Sequence, residues 1–537
     1  MKTFVILLAI SFAAWGQSAR SVIVGLVTDP SGAAITGAKV IVENSGSGFS
    51  MISESGGGGN YTQPNLLPGR YRITVSAQGF RTEVVNDVVV NLDQTVRMDV
   101  KLDVGDISTR IEVAAASPVI QTDSSSVGEV VDGKQISSMP LNGRQNLFGL
   151  LSLAPGVQNP AMNPYVAGNG GFGAVNLTID GVSGNDAGNE RNLATVPSLD
   201  AIGEFKVIAS NASAEFGRGG AQIVLSSKSG TNDLHGAMFY FNRNRVTAAN
   251  SFFNNRAGIP RQVFNRNEYG ASAGGAIIKN KLFYFGSFEG FRLARAGLNL
   301  TQMPTQALRQ GDFSLLPTAI KDPFNGGVPF PGNRIPANRI GAVPQGLDKY
   351  FSNPNLPGAG PAGLGNNYVA NVPVVEPLDR YSIRADYNLS SKDRIQGRFF
   401  RSANGPFNQS GVFFSSALGG PGTEKFGNWD GWGNSTNNTM VQYMRTFTPT
   451  LLNEARFGWQ HNLFFRTPQN SSFDPSTLIP GVIKPVEGLG GLPGISILGF
   501  RGFGDSPGSG DRQATYELYD AFTWIRNKHS IKMGIEF

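Results

Sequence analysis

Two short patterns in the sequence match motifs that carry chemistry in other proteins. Residues 504–508 fit Gly-x-Ser-x-Gly, the elbow that presents a nucleophilic serine on a sharp turn between a strand and a helix. Residues 168–173 fit Gly-x-Gly-x-x-Gly, whose glycines let the backbone approach the phosphates of a dinucleotide. Pro507 and the surrounding glycines disfavour the first turn, and Asn-Pro pairs rather than a strand precede the second. The sequence therefore predicts neither a serine nucleophile nor a nucleotide cofactor.

Residues that bind metals are few and scattered. The chain has no cysteine, which excludes disulfides, thiolate metal sites and a cysteine nucleophile. Its three histidines lie in separate segments without ligand spacing: His235, His461 and His529. Asp180, Asn185 and Asp186 form an oxygen-rich turn that resembles a calcium loop, but side-chain capping of a turn explains the same residues better. We predict no catalytic residue, no metal site and no cofactor, and hence no enzyme.

Composition indicates a mainly β protein. The 537 residues include 69 glycines, 31 prolines and 36 phenylalanines, and only 16% are charged. Glycine and proline weaken helix interiors, whereas aromatic residues suit the half-buried surface of a pleated sheet. The net charge of +6 comes from basic residues spread among acidic ones, which predicts a solvated surface and no nucleic-acid partner.

The N-terminus has the layout of a secretory signal. Met1-Lys2-Thr3 precedes an apolar run over residues 4–14, and Ala14 and Gly16 supply the small residues that signal peptidase accepts. We predict a signal peptide over residues 1–19, with a buried N-terminal strand or helix as the alternative. No later segment is long and apolar enough for a membrane helix, so a membrane-resident form of this chain must be a closed β-barrel.

Residues 20–104 alternate apolar and polar side chains in short runs separated by turns, which predicts a small β-sandwich. The segment resembles the carboxypeptidase regulatory-like domain, a prealbumin-like sandwich. The resemblance rests on Gly25-x-Val27-x-Asp29-x-x-Gly32, on Gly37-Ala38-x-Val40 and on residues 67–75 followed by Gly79-Phe80. A glycine run over 56–59 replaces the usual hairpin turn of that family. We expect a periplasmic spacer, and a glycan-binding role is the alternative because fold alone does not confer function.

Residues 105–230 resemble the plug of TonB-dependent receptors, particularly the Oar-like group in which a regulatory-like domain precedes the plug. The motif residues that carry the resemblance are Asp180, Gly181, Glu204, Phe205, Glu215, Gly217, Arg218, Gly219 and Gly220. Glycines at these places permit backbone close to a barrel wall, and we expect Glu215 and Arg218 to pair with a polar lumen. The resemblance implies a plug that blocks a pore and is rearranged by force from the inner membrane.

Such coupling needs an extended strand near the start of the plug that pairs edge-on with a strand of the energising protein. The candidate coupling strand is Thr109, Arg110, Ile111, Glu112 and Val113. An ordinary linker strand explains these residues equally well.

Residues 231–537 carry repeated segments of alternating polarity, the pattern of an outer-membrane barrel. The predicted strands are 234–241, 269–278, 282–291, 381–389, 394–401, 439–447, 454–461, 516–524 and 530–537. Tight turns such as 279–281 alternate with long Gly/Pro/Asn-rich stretches such as 304–376. The resemblance implies a barrel of about twenty-two strands, so we expect the N-terminal part of an Oar-like barrel. A soluble β-sandwich is the alternative.

The predicted function is that of a TonB-dependent receptor, which takes up large nutrients across the outer membrane. Its expected partners are a TonB-type energising protein of the inner membrane, outer-membrane lipid and an extracellular ligand, either a siderophore-like metal chelate or a glycan. The alternative is a surface-exposed adhesin or carbohydrate-binding protein without transport. A secreted hydrolase related to carboxypeptidase lacks both a metal triad and a nucleophile in this sequence.

Overall fold

The computed structural model describes 21–107, 110–114, 127–139, 144, 157–158, 165–166, 175–185, 195–216, 221–256, 258, 260–261, 263–348, 353–404, 429–468, 473–484, 486, 490–491, 494–495, 497, 500, 509–526 and 529–537. The predicted signal peptide lies outside these residues, as do residues 168–173 and 504–508. The predicted mainly β fold class is confirmed.

A two-sheet sandwich comes first in the chain. Its strands are β1 (Ser21–Thr28), β2 (Lys39–Asn44), β3 (Ser50–Glu54), β4 (Asn60–Leu66), β5 (Gly69–Ser76), β6 (Thr82–Val90), β7 (Thr95–Arg97), β8 (Val100–Lys101) and β9 (Arg110–Ala114). One sheet has the order β4-β1-β7 with β8 also beside β1, and the other has the order β3-β2-β5-β6-β9. Alternating valines and isoleucines such as Val40, Val42, Ile73 and Val75 are fully buried between the sheets. The predicted domain boundary at residue 104 precedes β9, which pairs with this sandwich.

The segment that resembles a plug follows the sandwich. Its elements are β10 (Val127–Asp132), α1 (Gly133–Ser138), β11 (Val157–Gln158), β12 (Tyr165–Val166), β13 (Val175–Ile179), β14 (Val182–Ser183), β15 (Ile202–Ser210) and β16 (Ala221–Ser227). β11 and β12 form a separate two-stranded sheet. The other five strands have the order β10-β15-β16-β13-β14, and β13 runs parallel to β16. Asp132 caps α1 in a capping box with Gln135. Phe205 and Leu177 lie in a core that also includes Phe285 and Phe400 of the nine-stranded sheet that follows.

The last part of the chain forms an antiparallel meander of nine strands in the described residues. They are β17 (His235–Asn244), β18 (Phe264–Ile278), β19 (Leu282–Thr301), β20 (Tyr368–Asn388), β21 (Asp393–Asn404), β22 (Trp429–Thr448), β23 (Leu451–Pro468), β24 (Ser509–Arg526) and β25 (His529–Glu536). Short helices lie in the loops: α2 (Phe252–Arg256), α3 (Gln306–Arg309) and α4 (Ala342–Asp348). None of the helices in the described part is long and apolar enough to cross a membrane.

The nine strands overlap the nine predicted ones, and all except β25 are longer than predicted. β20 begins at Tyr368, so the predicted loop 304–376 is wrong in its last nine residues. This part of the strand was not predicted because proline disfavours a paired strand interior, and the segment contains Pro373 and Pro377. Turns of a few residues at 279–281, 389–392 and 449–450 alternate with long connections at 245–263, 302–367 and 469–508. Since long loops mark the extracellular end of such barrels, this asymmetry orients the sheet.

Candidate functional site: the plug contact with the barrel wall

The two faces of the nine-stranded sheet have the reverse polarity of a soluble protein. In β20 the apolar Ile383 is 62% exposed, whereas the next residue, Arg384, is 3% exposed. Asp386 on β20 and Gln442 on β22 are also buried, and Val441 is exposed. Charged side chains are almost never buried in soluble proteins unless they are paired. The charged face of this sheet, called the wall (β17–β25), therefore needs partners. The five-stranded sheet that resembles a plug (β10 and β13–β16) supplies them.

Asp180 lies at the centre of this contact. It occupies the turn between β13 and β14, and its carboxylate is 2.9 Å from Nε of Arg398 and 3.6 Å from Nη1 of Arg384. Both arginines are on barrel strands. Ser227, at the end of β16, donates its N–H at 2.9 Å and its hydroxyl at 2.7 Å to the same carboxylate. One plug carboxylate thus holds two buried guanidinium groups of the wall.

A second carboxylate, that of Asp386, shares Arg384 with Asp180. Asp386 accepts two hydrogen bonds from the Arg384 guanidinium, at 2.8 and 2.9 Å, and one from Arg394 at 3.0 Å. Ser229, which follows the plug sheet, donates its hydroxyl to Asp386 at 2.6 Å. The cluster of two aspartates and three arginines therefore spans the boundary between plug and wall, with each charge paired as burial requires.

Gly181 lets the plug turn approach the wall closely. Its φ of +84° belongs to the left-handed region, which glycine adopts without strain. A Cβ at this position would lie 2.1 Å from Nη1 of Arg456. That guanidinium is buried and lies 4.2 Å above the ring of Tyr519, so it has little room to move. Glycine is the residue that fits both the backbone conformation and the space.

The wall also contacts the backbone of the β13–β14 hairpin. Nη2 of Arg398 donates to the carbonyl of Ile179 at 2.9 Å, and Nδ2 of Asn438 donates to the carbonyl of Ser183 at 2.8 Å. The N–H of Ser183 donates to the carboxylate of Glu517 at 3.1 Å. These bonds satisfy the polar groups of a hairpin that would otherwise be buried without partners.

Arg144 makes a separate contact between the plug segment and the wall. Its guanidinium is 3.0 Å from Asp200 within the plug segment and 3.8 Å from Glu289 of β19. It also lies 4.2 Å above the ring of Phe239 of β17. The backbone N–H of Arg144 donates to Glu268 of β18 at 3.2 Å. Each of the first three wall strands, β17, β18 and β19, therefore has a side chain that contacts Arg144.

The predicted plug motif divides between three locations. Asp180 and Gly181 contact the wall, and Phe205 is buried in the plug core. Glu215 also reaches the wall, where Nζ of Lys532 on β25 donates to it at 2.5 Å. Four further motif residues lie outside the described part of the chain: Gly217, Arg218, Gly219 and Gly220.

Glu204 does not face the barrel but meets the sandwich. Leu92, in the turn between β6 and β7, donates its N–H to Glu204 at 2.8 Å. Beside it, Nζ of Lys206 is 2.9 Å from the carboxylate of Asp93 in the same turn. Leu92 packs on Ile208, Phe216 and Val224 of the plug segment. This turn docks the sandwich on β15, and burial there raises the pKa of Glu204 to about 7.

Replacing Glu204 with glutamine is expected to remove a pH-dependent loss of stability. The pKa of Glu204 is about 7 in the folded protein, against an ordinary value of 4.5. The stability that Glu204 contributes is therefore fully present below the pKa of the unfolded state. It is lost as the pH rises through the pKa of the folded state. Glutamine stays neutral and keeps an oxygen for the Leu92 N–H, so Glu204→Gln should gain about 1–2 kcal/mol near pH 8 after allowance for partial exposure. Thermal unfolding in detergent at pH 5 and pH 8 measures this difference, and parallel pH profiles for the two proteins would contradict it.

The candidate coupling strand is an edge strand of the sandwich. Arg110, Ile111, Glu112 and Val113 lie in β9, which pairs parallel with β6 from Thr82↔Arg110 to Asn86↔Ala114; Thr109 is outside the described residues. The other edge of β9 pairs with no strand in the described part of the chain. An unpaired edge is a template for a further strand; the coupling role of β9 stays a prediction.

The structure places the residues of the oxygen-rich turn and the three histidines in separate surroundings. Asp180 is occupied by the arginines, Asn185 accepts the N–H of Leu177 at 2.8 Å, and Asp186 is outside the described residues. The three histidines lie on β17, β23 and β25. No group of three or more potential metal ligands occurs among the residues that the structure describes.

Sequence reasoning missed the wall residues that hold the plug. The alternation in β20 and β21 assigned Arg384 and Arg398 to the polar face, but nothing distinguished them from other residues of that face. A signal was available: several arginines recur at inward positions of successive predicted strands, which is unusual unless acidic groups fill the lumen.

Comparison with known proteins defines the class. A model of the outer membrane beta barrel domain matches residues 226–537, which is more than half of the chain, and the carboxypeptidase regulatory-like domain matches residues 22–103. The chain therefore belongs to the outer membrane beta barrel family, which places it in the outer membrane. The predicted resemblance of the first domain is confirmed.

The relatives are named as transporters and receptors. The chain is 28% identical over 247 residues to the TonB-dependent transporter Oar of Myxococcus xanthus, and the match covers 43% of this chain and 23% of Oar. The predicted resemblance to the Oar-like group is thus confirmed. The siderophore receptor PirA from Acinetobacter baumannii is 12% identical with a TM-score of 0.42, covering 76% of this chain and 47% of PirA. The outer membrane transporter YddB from Escherichia coli is 12% identical with a TM-score of 0.44, covering 74% of this chain and 45% of YddB. The chain spans about a quarter of Oar and about half of these solved chains.

Proposed function

We propose that this chain forms part of an energised outer-membrane transporter, in which the plug-like sheet closes the lumen until force displaces it. The observation that carries the proposal is the buried contact of the Asp180–Gly181 turn with Arg384, Arg398 and Arg456. The relative Oar, which bears the name of a TonB-dependent transporter, supports the same assignment. Domain boundaries at residues 104 and 230 remain part of the proposal.

The energising partner in this proposal is a TonB-type protein of the inner membrane. Its strand would add to the unpaired edge of β9, because main-chain hydrogen bonds along an edge give affinity with little demand on side chains. The cargo in this proposal is a siderophore-like metal chelate or a glycan. It would bind on the long-loop side of the barrel, where binding residues concentrate on a rigid scaffold.

A disulfide between plug and wall tests whether the plug must move. A Cβ on Gly458 of β23 would lie 2.8 Å from Cγ1 of Val182 in β14, so cysteines at these positions place sulfur within reach of a bond. The chain has no native cysteine. We expect Val182→Cys/Gly458→Cys to lose uptake of a labelled ferric chelate or a labelled oligosaccharide when oxidised and to regain it when reduced.

The single variant Val182→Cys is the matched control and should transport in both redox states. A protonophore, which removes the inner-membrane energy source, should stop uptake by all the variants. If the oxidised double variant transports at the rate of the native protein, the moving-plug mechanism is wrong. If the native protein takes up neither probe, the adhesin or glycan-binding alternative replaces transport.

A further inference from the structure

An asparagine patch lies on the outer surface of the barrel beside the first long loop. It consists of Asn242 and Asn244 on β17, Asn265 and Asn267 on β18, and Tyr240. Nδ2 of Asn242 donates to Asn265 at 3.0 Å and to Asn267 at 2.8 Å, and Nδ2 of Asn244 donates to Asn242 at 2.8 Å. The hydroxyl of Tyr240 donates to Asn267 at 2.8 Å. The patch is a continuous layer of neutral amides.

The intervening residues establish that this layer faces away from the lumen. On β17, Phe239 lies under the guanidinium of Arg144, and on β18, Glu268 accepts the N–H of Arg144. Because successive side chains of a strand point to opposite faces, Asn242 and Asn267 point outward. The same outward face carries aliphatic and aromatic side chains farther from the long loops.

The depth of the patch follows from its position along β18. Ile277 of β18 and Tyr387 of β20 both lie near the short-turn end of the sheet, and Ile277 is 63% exposed. Ten residues separate Asn267 from Ile277 on the same strand. At ~3.4 Å per residue and a tilt of ~45°, ten residues rise ~24 Å. That rise equals the ~25 Å height of the apolar band of an outer-membrane barrel. The patch therefore begins where the hydrocarbon of the outer leaflet ends.

The chemistry of the patch suits sugar hydroxyls. Amides without partners are costly in hydrocarbon, which agrees with a position in the headgroup layer. Among the residues that the structure describes, Nδ2 of Asn265 and Nδ2 of Asn267 donate to no protein atom, and each carries two hydrogens. The nearest outward cation, Arg292, is neutralised by a bidentate pair with Asp379 at 2.9 and 3.0 Å. A neutral layer of donors and acceptors favours carbohydrate over a bare phosphate group.

We propose that the asparagine patch binds the carbohydrate headgroup of an outer-leaflet glycolipid. This site is separate from the plug and from any transported cargo. It fixes the barrel in the outer leaflet through directional hydrogen bonds at the first hairpin.

The test measures glycolipid retained by the protein after extraction from outer membranes in mild detergent, by native mass spectrometry. Asn242→Ala/Asn267→Ala removes the centre of the patch and should weaken retention of rough-type lipopolysaccharide about tenfold, the effect of losing one or two net hydrogen bonds. Asn265→Asp keeps the shape of the hairpin and the acceptor for Asn242, but its charge repels the phosphates of the glycolipid, so retention should fall as well. Melting temperatures identify any variant that has merely misfolded.

The matched control is Asn453→Ser. Asn453 precedes the inward Glu454 on β23 and faces outward at the opposite, short-turn end of the barrel. This variant should retain lipopolysaccharide as the native protein does. Equal retention by Asn265→Asp and the native protein, or an equal loss in Asn453→Ser, would overturn the proposal. Equally tight binding of the free, lipid-less core oligosaccharide would also overturn it, because the patch would then be a receptor for soluble glycans.

Discussion

Replacing Asp180 with alanine is expected to destabilise the docked plug by about 3–5 kcal/mol, the usual result of removing one partner from a buried ion pair. Arg398 and Arg384 would remain buried against the plug with less negative charge to balance them, and both hydrogen bonds from Ser227 would be lost. Urea titration of the detergent-purified protein, followed by protease cleavage of the plug segment, measures the effect. Cells that carry the variant should also admit large antibiotics that the intact outer membrane excludes.

Two further variants distinguish the loss of the ion pair from general damage to the turn. In Asp180→Leu/Arg398→Met both charges are gone, so the combined loss should be smaller than the sum of the single losses. Asp312→Ala is the matched control, because Asp312 pairs with Arg334 at 3.0 Å on exposed loops. An exposed pair contributes less than about 1 kcal/mol. If Asp180→Ala costs no more than Asp312→Ala, the buried cluster does not hold the plug.

The strands of the barrel were predictable because their signal is local. Polarity alternates within each strand, as in residues 381–389, so the period of two identifies the strand and its two faces without knowledge of its neighbours. The start of β20 at Tyr368 was missed because Pro373 and Pro377 argue against a strand. A barrel strand tolerates proline where it projects beyond the membrane. The alternation of polarity that marks the strand is also weaker there.

The plug contact was predictable only in part, because it depends on pairing between distant segments. The motif identified Asp180 and Gly181, whose spacing and glycine content are visible in the sequence. Their partners Arg398 and Arg456 lie more than 200 residues later, and the register of four barrel strands decides which inward arginine meets the turn. The parallel pairing of β9 with β6 was missed for a related reason: parallel pairs need a crossover connection, and no local turn signal announces it.

Placing an arginine at Ile383 tests which face of the sheet meets lipid. Ile383 lies in the middle of the apolar band, four residues from Tyr387, and is 62% exposed. In a membrane barrel, Ile383→Arg is expected to cost about 2–4 kcal/mol, because the charge enters hydrocarbon near the midplane. In a soluble sheet the same change at an exposed position would stay within about 0.5 kcal/mol. Equilibrium unfolding from lipid vesicles gives the value directly.

The control for this change is Ile52→Arg, since Ile52 is 42% exposed on β3 of the sandwich, which is expected to lie in the periplasm. It should be nearly neutral. If both arginines are equally well tolerated, the outward face of the barrel does not contact lipid. The neighbouring Arg384 already shows that the strand accepts an arginine, provided that its side chain points to the lumen, where Asp180 and Asp386 balance it. On β20, a charge at position 384 therefore stabilises the docked plug, whereas a charge at position 383 is expected to destabilise the strand in the membrane.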